Sequence, residues 1–390
     1  MSVLWLAVAT FAIGTESFVI AGILPAIAAD MQISVAATGQ LVTAYALTYA
    51  VGSPILAVMF NNLDRRSLLT LALCCFIGGN LLAVAATSFA MLLVSRMLMA
   101  VGAGLCTPTA IGVAVAIASP ERRGRAVALV ISGLTVATVA GVPLGSLIGN
   151  MFGWRATFAM VALLGAVALA GLLFGLPRGL PRTTATLRQR VAVARHGGVL
   201  YALAITAFWA IGAFTVFTYL SVPLHGLGFS AAQISFALLV FGVAAAIGNM
   251  LGGTLADRIG PVPTATFGLA VMALALTLLS VVLKFASPEH ARYAVLMILF
   301  CWGIAGWAFY TAQTANIMRI DPQASMIAVS LNASAMYFGF AIGGAAGGIV
   351  LSVLGPTDLG WVGGCSVATA FALLLFHGWQ ERLKLSKIAG

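Results

Sequence analysis

Two charged side chains stand inside stretches of this chain that are otherwise too apolar to hold a charge. Glu16 lies near the middle of the run from Val3 to Ala28, roughly 26 residues and so long enough to cross a hydrocarbon core as one helix. Arg96 sits in Arg96-Met97-Leu98-Met99-Ala100-Val101-Gly102, inside another such run. Apart from His377, near the end of the last run, no other charged or histidine side chain lies well inside one. An acid at the centre of a membrane helix costs on the order of 2.5–3.5 kcal/mol to insert, so its presence calls for a function or a partner. A guanidinium stays charged in proteins and at this depth needs carboxylate or carbonyl oxygens. Three chemistries fit. Glu16 can carry a proton from one side to the other, switched by a change in its exposure or in its distance to Arg96. The two can form a static pair that holds helices together, or Glu16 can bind a cationic substrate directly. The proton carrier is the working expectation.

The elements that must position them are helices in lipid. Of 390 residues, 62% are hydrophobic and only 7% charged, a balance foreign to soluble domains of this length. Polar breaks, Gly/Pro punctuation and charges predict twelve helices, near 3–28, 36–60, 67–87, 90–117, 126–150, 155–176, 198–224, 231–255, 262–284, 292–318, 324–354 and 360–379. Connections are short except from Pro177 to Gly198, which carries Arg178, Arg182, Arg188, Arg190 and Arg195. The chain therefore divides into a six-helix bundle over 1–176, a basic linker over 177–197, and a second six-helix bundle with a short tail over 198–390.

Alternating the loops across the bilayer gathers Arg65, Arg66, Arg122, Arg123, Arg125, the linker arginines, Arg258, Arg319, Arg382, Lys384 and Lys387 on one side. Only Arg155, Lys284 and Arg292 fall on the other. The basic side is expected in the cytoplasm, with both termini. The net charge of +10 is thus an orientation signal and not a nucleic-acid footprint. The first run is expected to be retained despite Ala26-Ile27-Ala28, which resembles a cleavage site, because no Lys or Arg precedes it and Glu16 interrupts it. Cys74, Cys75, Cys106, Cys301 and Cys365 lie in apolar runs without ligand spacing and read as small packing residues. No P-loop, metal-spaced cluster, G-x-S-x-G or dinucleotide fingerprint supports an enzyme.

The halves echo each other. Gly141, Gly145 and Gly149 recur as Gly339, Gly343 and Gly347, and the loop Asn61 to Arg66 has a counterpart at Asp257 to Gly260. Over essentially its whole length the chain resembles the major facilitator superfamily, built from two such repeats with a substrate site near the midplane between them. The resemblance implies an all-α membrane protein of twelve transmembrane helices in two pseudo-symmetric six-helix bundles. Several motifs are similar to its drug:proton antiporter branch. Gly252-Gly253-Thr254-Leu255-Ala256-Asp257-Arg258-Ile259-Gly260 resembles the loop signature G-x-L-a-D-r-x-G, which implies gating roles for Asp257 and Arg258 and for Asn61, Asp64, Arg65 and Arg66. Asn61 stands where the signature has an acid. Gly133, Gly141, Pro143, Gly145 and Gly149, followed by Gly153-Trp154-Arg155, resemble the exporter motif, in which small residues let helices approach closely and the proline bends one. The run at Arg96 resembles R-x-x-x-G-x-G of proton-coupled members, with Ala100 replacing a glycine.

The look-alike group is the sugar-efflux and chloramphenicol-efflux transporters, through Phe11-Ala12-Ile13-Gly14-Thr15-Glu16 with Leu24-Pro25, Phe217-Thr218-Tyr219 with Pro223, and Ser330-Leu331-Asn332 with Gly339. That group's acid falls one position later, at Ser17 here, a shift that rotates a side chain by about 100° on a helix. The facing of Glu16 is therefore open. The resemblance implies a proton-coupled secondary transporter that exports small organic compounds, drug-like amphipaths or sugars, from a bacterial cytoplasm. The proton is its coupling ion, no other cofactor is expected, and a monomer in the bilayer of the inner membrane is implied. The alternative is a sugar or nucleoside facilitator or importer on the same fold, and a distant one is a channel or sensor.

A cavity for such compounds calls for aromatic and neutral polar side chains on the inner helices. The candidates are Tyr45, Tyr49, Thr107, Thr138, Trp209, Phe217, Tyr219, Trp307, Tyr310, Gln313, Asn332, Met336 and Tyr337. Asn80 and Asn249 are expected to hydrogen-bond between helices. Trp5, Trp154, Trp361 and Trp379 are assigned to the interfacial belt.

Overall fold

The computed structural model describes residues 2–177, 179, 180 and 187–389, with the side chains of Leu187, Trp379 and 381–389 outside the described residues. Arg178 and Arg182 of the linker, and the side chains of Arg382, Lys384 and Lys387, thus lie outside them. Twelve helices among the described residues are long and apolar enough to cross a membrane. They are α1 (Ser2–Asp30), α2 (Val35–Met59), α3 (Arg65–Val84), α4 (Phe89–Ile117), α5 (Pro120–Phe152), α6 (Trp154–Gly175), α7 (Gly197–Gly226), α8 (Ala231–Ile259), α9 (Pro261–Phe285), α10 (Pro288–Ile320), α11 (Ser325–Val353) and α12 (Pro356–Gly378). An even number of crossings brings both ends of the chain and the linker to one side, the terminal face. The far face lies opposite.

Local chemistry sets most ends. Asp64 caps the start of α3, Ser88 that of α4, and Ser230 with Gln233 forms a reciprocal capping box at α8. Gly260, at φ 96°, turns the chain between α8 and α9, a left-handed conformation that a side chain would strain. The last helix, expected to stop near 379, runs on to Ala389, and the linker holds a short helix, Leu187–Ala194. That short helix packs through Val193 against Val199, Ile317 and Ala328, and its Arg190 donates to the Ser330 hydroxyl at 3.0 Å.

The packing repeats with a period of six helices. Helix α1 packs on α5 and α6, α4 on α2 and α3, and α3 on α6. Likewise α7 packs on α11 and α12, α10 on α8 and α9, and α9 on α12. Contacts between the halves run mainly through α2 with α11 and α5 with α8, pairs that the same repeat exchanges. The glycines explain the seams within each half, of α5 with α1 and of α11 with α7. A Cβ on Gly141, Gly145 or Gly149 would overlap Thr15, Val19 and Ile23 of α1, while one on Gly339, Gly343 or Gly347 would overlap backbone of α7 at Ala207, Ile211 and Thr215. Lipid supplies no hydrophobic drive between helices, so close backbone approach over small residues does the work.

Helix α5 carries one irregularity. Residues Ala137–Gly141 form a π turn, in which the Val142 N–H donates to the Ala137 carbonyl five residues back, and Pro143 follows at once. Gly133 and Gly141 are eight positions apart and on a regular helix would diverge by about 80°. The π turn absorbs one residue and brings both onto the ridge that faces α1, Gly133 against Ala7 and Thr10.

At the far face each half is fastened by an indole and a carboxylate. Asp30 accepts from Trp154 Nε1 (3.1 Å) and Arg155 (2.8 Å), and Asp358 accepts from Trp361 Nε1 and Lys284, each at 2.5 Å. Trp154 is therefore buried instead of belonging to an interfacial belt. Among the cysteines only Cys106 is buried, whereas Cys74, Cys301 and Cys365 lie on the outer surface, so packing does not account for those three. Asn249 accepts from Thr311 across α8 and α10 at 2.9 Å as expected, but Asn80 donates to Phe76 of its own helix (2.8 Å).

Candidate functional site

Glu16 on α1 and Arg96 on α4 form an ion pair, and both side chains are wholly buried. Arg96 Nε also donates to the Leu41 carbonyl of α2 at 3.3 Å, and its guanidinium lies over the Tyr45 ring, 4.5 Å from the centroid. The cation thus faces a carboxylate, a carbonyl and an aromatic ring, while its Nη2 has no hydrogen-bond partner among the described residues. The one-position shift in the sequence now has a geometry. Glu16 points to α4, and Ser17, next along, hydrogen-bonds the Tyr45 hydroxyl at 2.9 Å.

A central cavity of about 360 Å³ opens between the halves on the terminal-face side of the midplane. Helix α5 lines it with Ile131, Leu134, Thr135 and Thr138, spaced as one helical stripe, and α10 with Trp307, Tyr310, Thr311, Thr314 and Met318, another stripe. Phe18, Asn249, Met336 and Tyr337 complete the wall. Toward the far face it abuts a narrow aromatic chamber of Phe18, Trp209, Phe214, Phe217, Trp302 and Trp307, among others.

The candidates read from the sequence divide accordingly. Thr138, Trp307, Tyr310, Met336 and Tyr337 line the cavity, and Trp209 and Phe217 the chamber. Tyr49 stacks on Tyr337 with ring centroids 3.7 Å apart and is hydrogen-bonded by Thr107, so Tyr45, Tyr49 and Thr107 stand behind the Tyr337 wall. Gln313 donates to the Ala202 carbonyl (2.9 Å) and Asn332 accepts from Thr206 (2.7 Å), both buried within the second half, where they join α7 to α10 and α11. Tyr219 lies outside the cavity, in the far-face closure. Its hydroxyl donates to Gly344 at 2.8 Å, and its ring fills a slot formed by Gly39 of α2 and Gly347 and Gly348 of α11. Sequence reasoning missed Phe18, Asn249, Thr135 of α5 and Thr311 and Thr314 of α10, although the three- and four-residue spacing from Trp307 to Met318 carried that signal.

The far face is shut by further contacts between the halves: Ser235 to Ser146 at 3.0 Å and Thr43 to the Ala341 carbonyl at 3.2 Å. At the terminal face the two loops differ. Asp64 accepts from the Ser67 N–H at 3.3 Å, Arg65 donates to the Gly112 carbonyl, and Arg66 donates to Leu176 (3.0 Å) and Leu173. Hydrogen bonding to Ser67 holds the Asp64 carboxyl below its ordinary value. Asn61 sits in the turn before them. Asp257 and Arg258 are exposed and make no ion pair or side-chain hydrogen bond among the described residues. Among the described residues no three His, Cys, Asp or Glu side chains gather as a metal site.

This architecture, twelve crossings in two packed repeats around a central cavity, is that of a membrane transporter. The chain belongs to the Major Facilitator Superfamily, whose family model matches residues 6–230 and again 203–389. It is 35% identical to the uncharacterized MFS-type transporter YbcL of Bacillus subtilis over 97% of this chain and 96% of that protein. It is 33% identical to a chloramphenicol resistance protein of Streptomyces lividans over 94% and 93% of the two chains. Its fold matches the crystal structure of a D-xylose-proton symporter with a TM-score of 0.80, covering 95% of this chain and 96% of that one at 17% sequence identity.

Proposed function

We propose that this protein is a proton-coupled exporter of small organic compounds, working by alternating access in the inner membrane of a bacterium with the terminal face in the cytoplasm. The observation that carries the proposal is the wholly buried Glu16–Arg96 pair, on α1 and α4, in a bundle that also holds a cavity between its halves. Among the described residues Glu16 is the one carboxylate deep within a membrane-spanning segment, so it is the group able to take up a proton as the halves rock. Protonation removes the charge that holds Arg96, leaving the cation on the Leu41 carbonyl and the Tyr45 face, and deprotonation restores the pair. The basic residues at the terminal face support a cytoplasmic placement. The likeness to the Streptomyces resistance protein supports export of drug-like amphipaths. The protein works as a monomer, with both termini in the cytoplasm and the proton as coupling ion.

The test is flux in proteoliposomes with an imposed pH gradient, using chloramphenicol as the first substrate and a sugar as the second. Substrate is expected to move against the proton flow, and Glu16→Gln to lose gradient-driven movement while remaining folded. Flux indifferent to the gradient in either direction, or normal driven export by Glu16→Gln, would remove the proton-carrier role.

A further inference from the structure

The ion pair and the cavity belong to opposite faces of α1. Phe18 is the α1 residue in the cavity wall, and Glu16 lies two positions before it, about 200° around the helix. Between them stands a layer of phenols. Arg96 rests on the Tyr45 ring, Tyr45 lies 6.3 Å from Tyr337 by ring centroids, and Tyr337 forms cavity wall on its other side. Among the described residues no Asp, Glu, Lys, Arg or His lines the cavity. Its polar groups are neutral, and three of its four threonines are turned to accept. Thr138 and Thr314 donate to carbonyls of their own helices, at Thr135 and Tyr310, and Thr311 donates to Asn249, which leaves the hydroxyl oxygens free for a donor.

We infer that the cavity takes an uncharged aromatic amphipath bearing hydroxyl or amide donors, and that this ligand never meets Glu16, the state of the pair reaching it through the Tyr45–Tyr337 layer. The inference rests on the exporter reading and narrows its substrate. A bare cation in the cavity would lose hydration worth a thousandfold or more in affinity. A desolvated cation–π contact with Trp307 or Tyr310 returns only about 30-fold. Tyr45 is a positioning residue here. It touches the guanidinium on one side and the cavity wall on the other, so loss of the ring disconnects the two without emptying the cavity.

Two measurements test this. Tryptophan fluorescence of the purified full chain follows binding of chloramphenicol, as the neutral probe, and of tetraphenylphosphonium, as the cationic one. Chloramphenicol is expected to bind at least about tenfold more tightly, and its affinity to change less than about twofold in Glu16→Gln. Equal or tighter binding of the phosphonium, or its loss in Glu16→Gln, overturns the inference. In proteoliposomes Tyr45→Leu is expected to keep downhill chloramphenicol exchange and lose the response to a pH gradient, while Tyr45→Phe, which keeps the ring, retains both. Full gradient response in Tyr45→Leu overturns the relay, and should that variant fail to fold, the probe comparison decides alone. Absence of gradient-driven flux for every probe in the wild type removes the exporter reading itself. Driven flux of the phosphonium with chloramphenicol ignored removes only this inference.

Discussion

In the first half Gly141, Gly145 and Gly149 seat α5 on α1, and in the second Gly339, Gly343 and Gly347 seat α11 on α7. An indole and a carboxylate fasten the far face of each. What the halves bury beside these shared seams is different. The first holds the charged pair of Glu16 and Arg96, and the second holds neutral groups, Thr206 with Asn332 and Gln313 with the Ala202 carbonyl. Most of the aromatic wall comes from the second half too, with Phe18 the ring that α1 contributes. The duplicated positions build the scaffold, and the positions that diverged differ in what they bury: charge on one side, most of the aromatic cavity wall on the other.

The sharpest way to break this comparison is to remove one charge. Arg96→Met is expected to destabilise the protein by about 3–5 kcal/mol, since Glu16 is left buried and unpaired, and Glu16→Gln with Arg96→Met to recover most of that loss. Thermal melting in detergent micelles reads both. A double variant as unstable as the single one would mean that the pair is not what the stability difference reports. The shared scaffold is tested next. Gly141→Leu and Gly343→Leu should each cost about 1–3 kcal/mol through overpacking, seen as lower yield of monodisperse protein. Tolerance of leucine in one half but not the other would show that the seams are not equivalent.

Smaller effects belong to the neutral bonds. Thr206→Val should cost roughly 0.6–1.7 kcal/mol, the range for hydrogen bonds between membrane helices, and leave proton-driven flux in place. Loss of coupling in that variant would place proton chemistry in the second half as well. Smallest is the loop contrast. Asp64→Ala loses the cap of α3, about 0.5–1 kcal/mol, whereas Asp257→Ala should be close to neutral. Because the folded Asp64 carboxyl sits below its ordinary 3.8, its contribution is present at neutral pH and fades as acid protonates it below that value. A melting difference between wild type and Asp64→Ala that persists undiminished in strong acid would refute the capping account.

Helix number and position were legible because a bilayer permits few alternatives, and runs of about 20 apolar residues leave no other fold. The glycine repeat was legible because its spacing of four is printed in the chain. The pairing of Glu16 with Arg96 followed from scarcity, each being the partner the other needed at that depth. The cavity was less legible. Any tyrosine or tryptophan on an inner helix looks alike in sequence, yet Tyr337 lines the cavity, Tyr49 stacks behind it and Tyr219 closes the far face. Thr135, Thr311 and Thr314 carry little hydropathy signal, so only their three- and four-residue spacing with Thr138, Trp307 and Tyr310 pointed to them. The π turn in α5 was hidden for a related reason: a one-residue change of register leaves the composition untouched.

The slot around Tyr219 bears on the balance of states. Under the alternating-access proposal, opening of the far face leaves the phenol with Gly344, Gly347 and Gly348 of its own half and withdraws it from Gly39 across the divide. That withdrawal wets a buried ring for as long as the far face stays open. Its free energy therefore weights the equilibrium between the two access states, so this side chain sets the share of time for which the far face is shut.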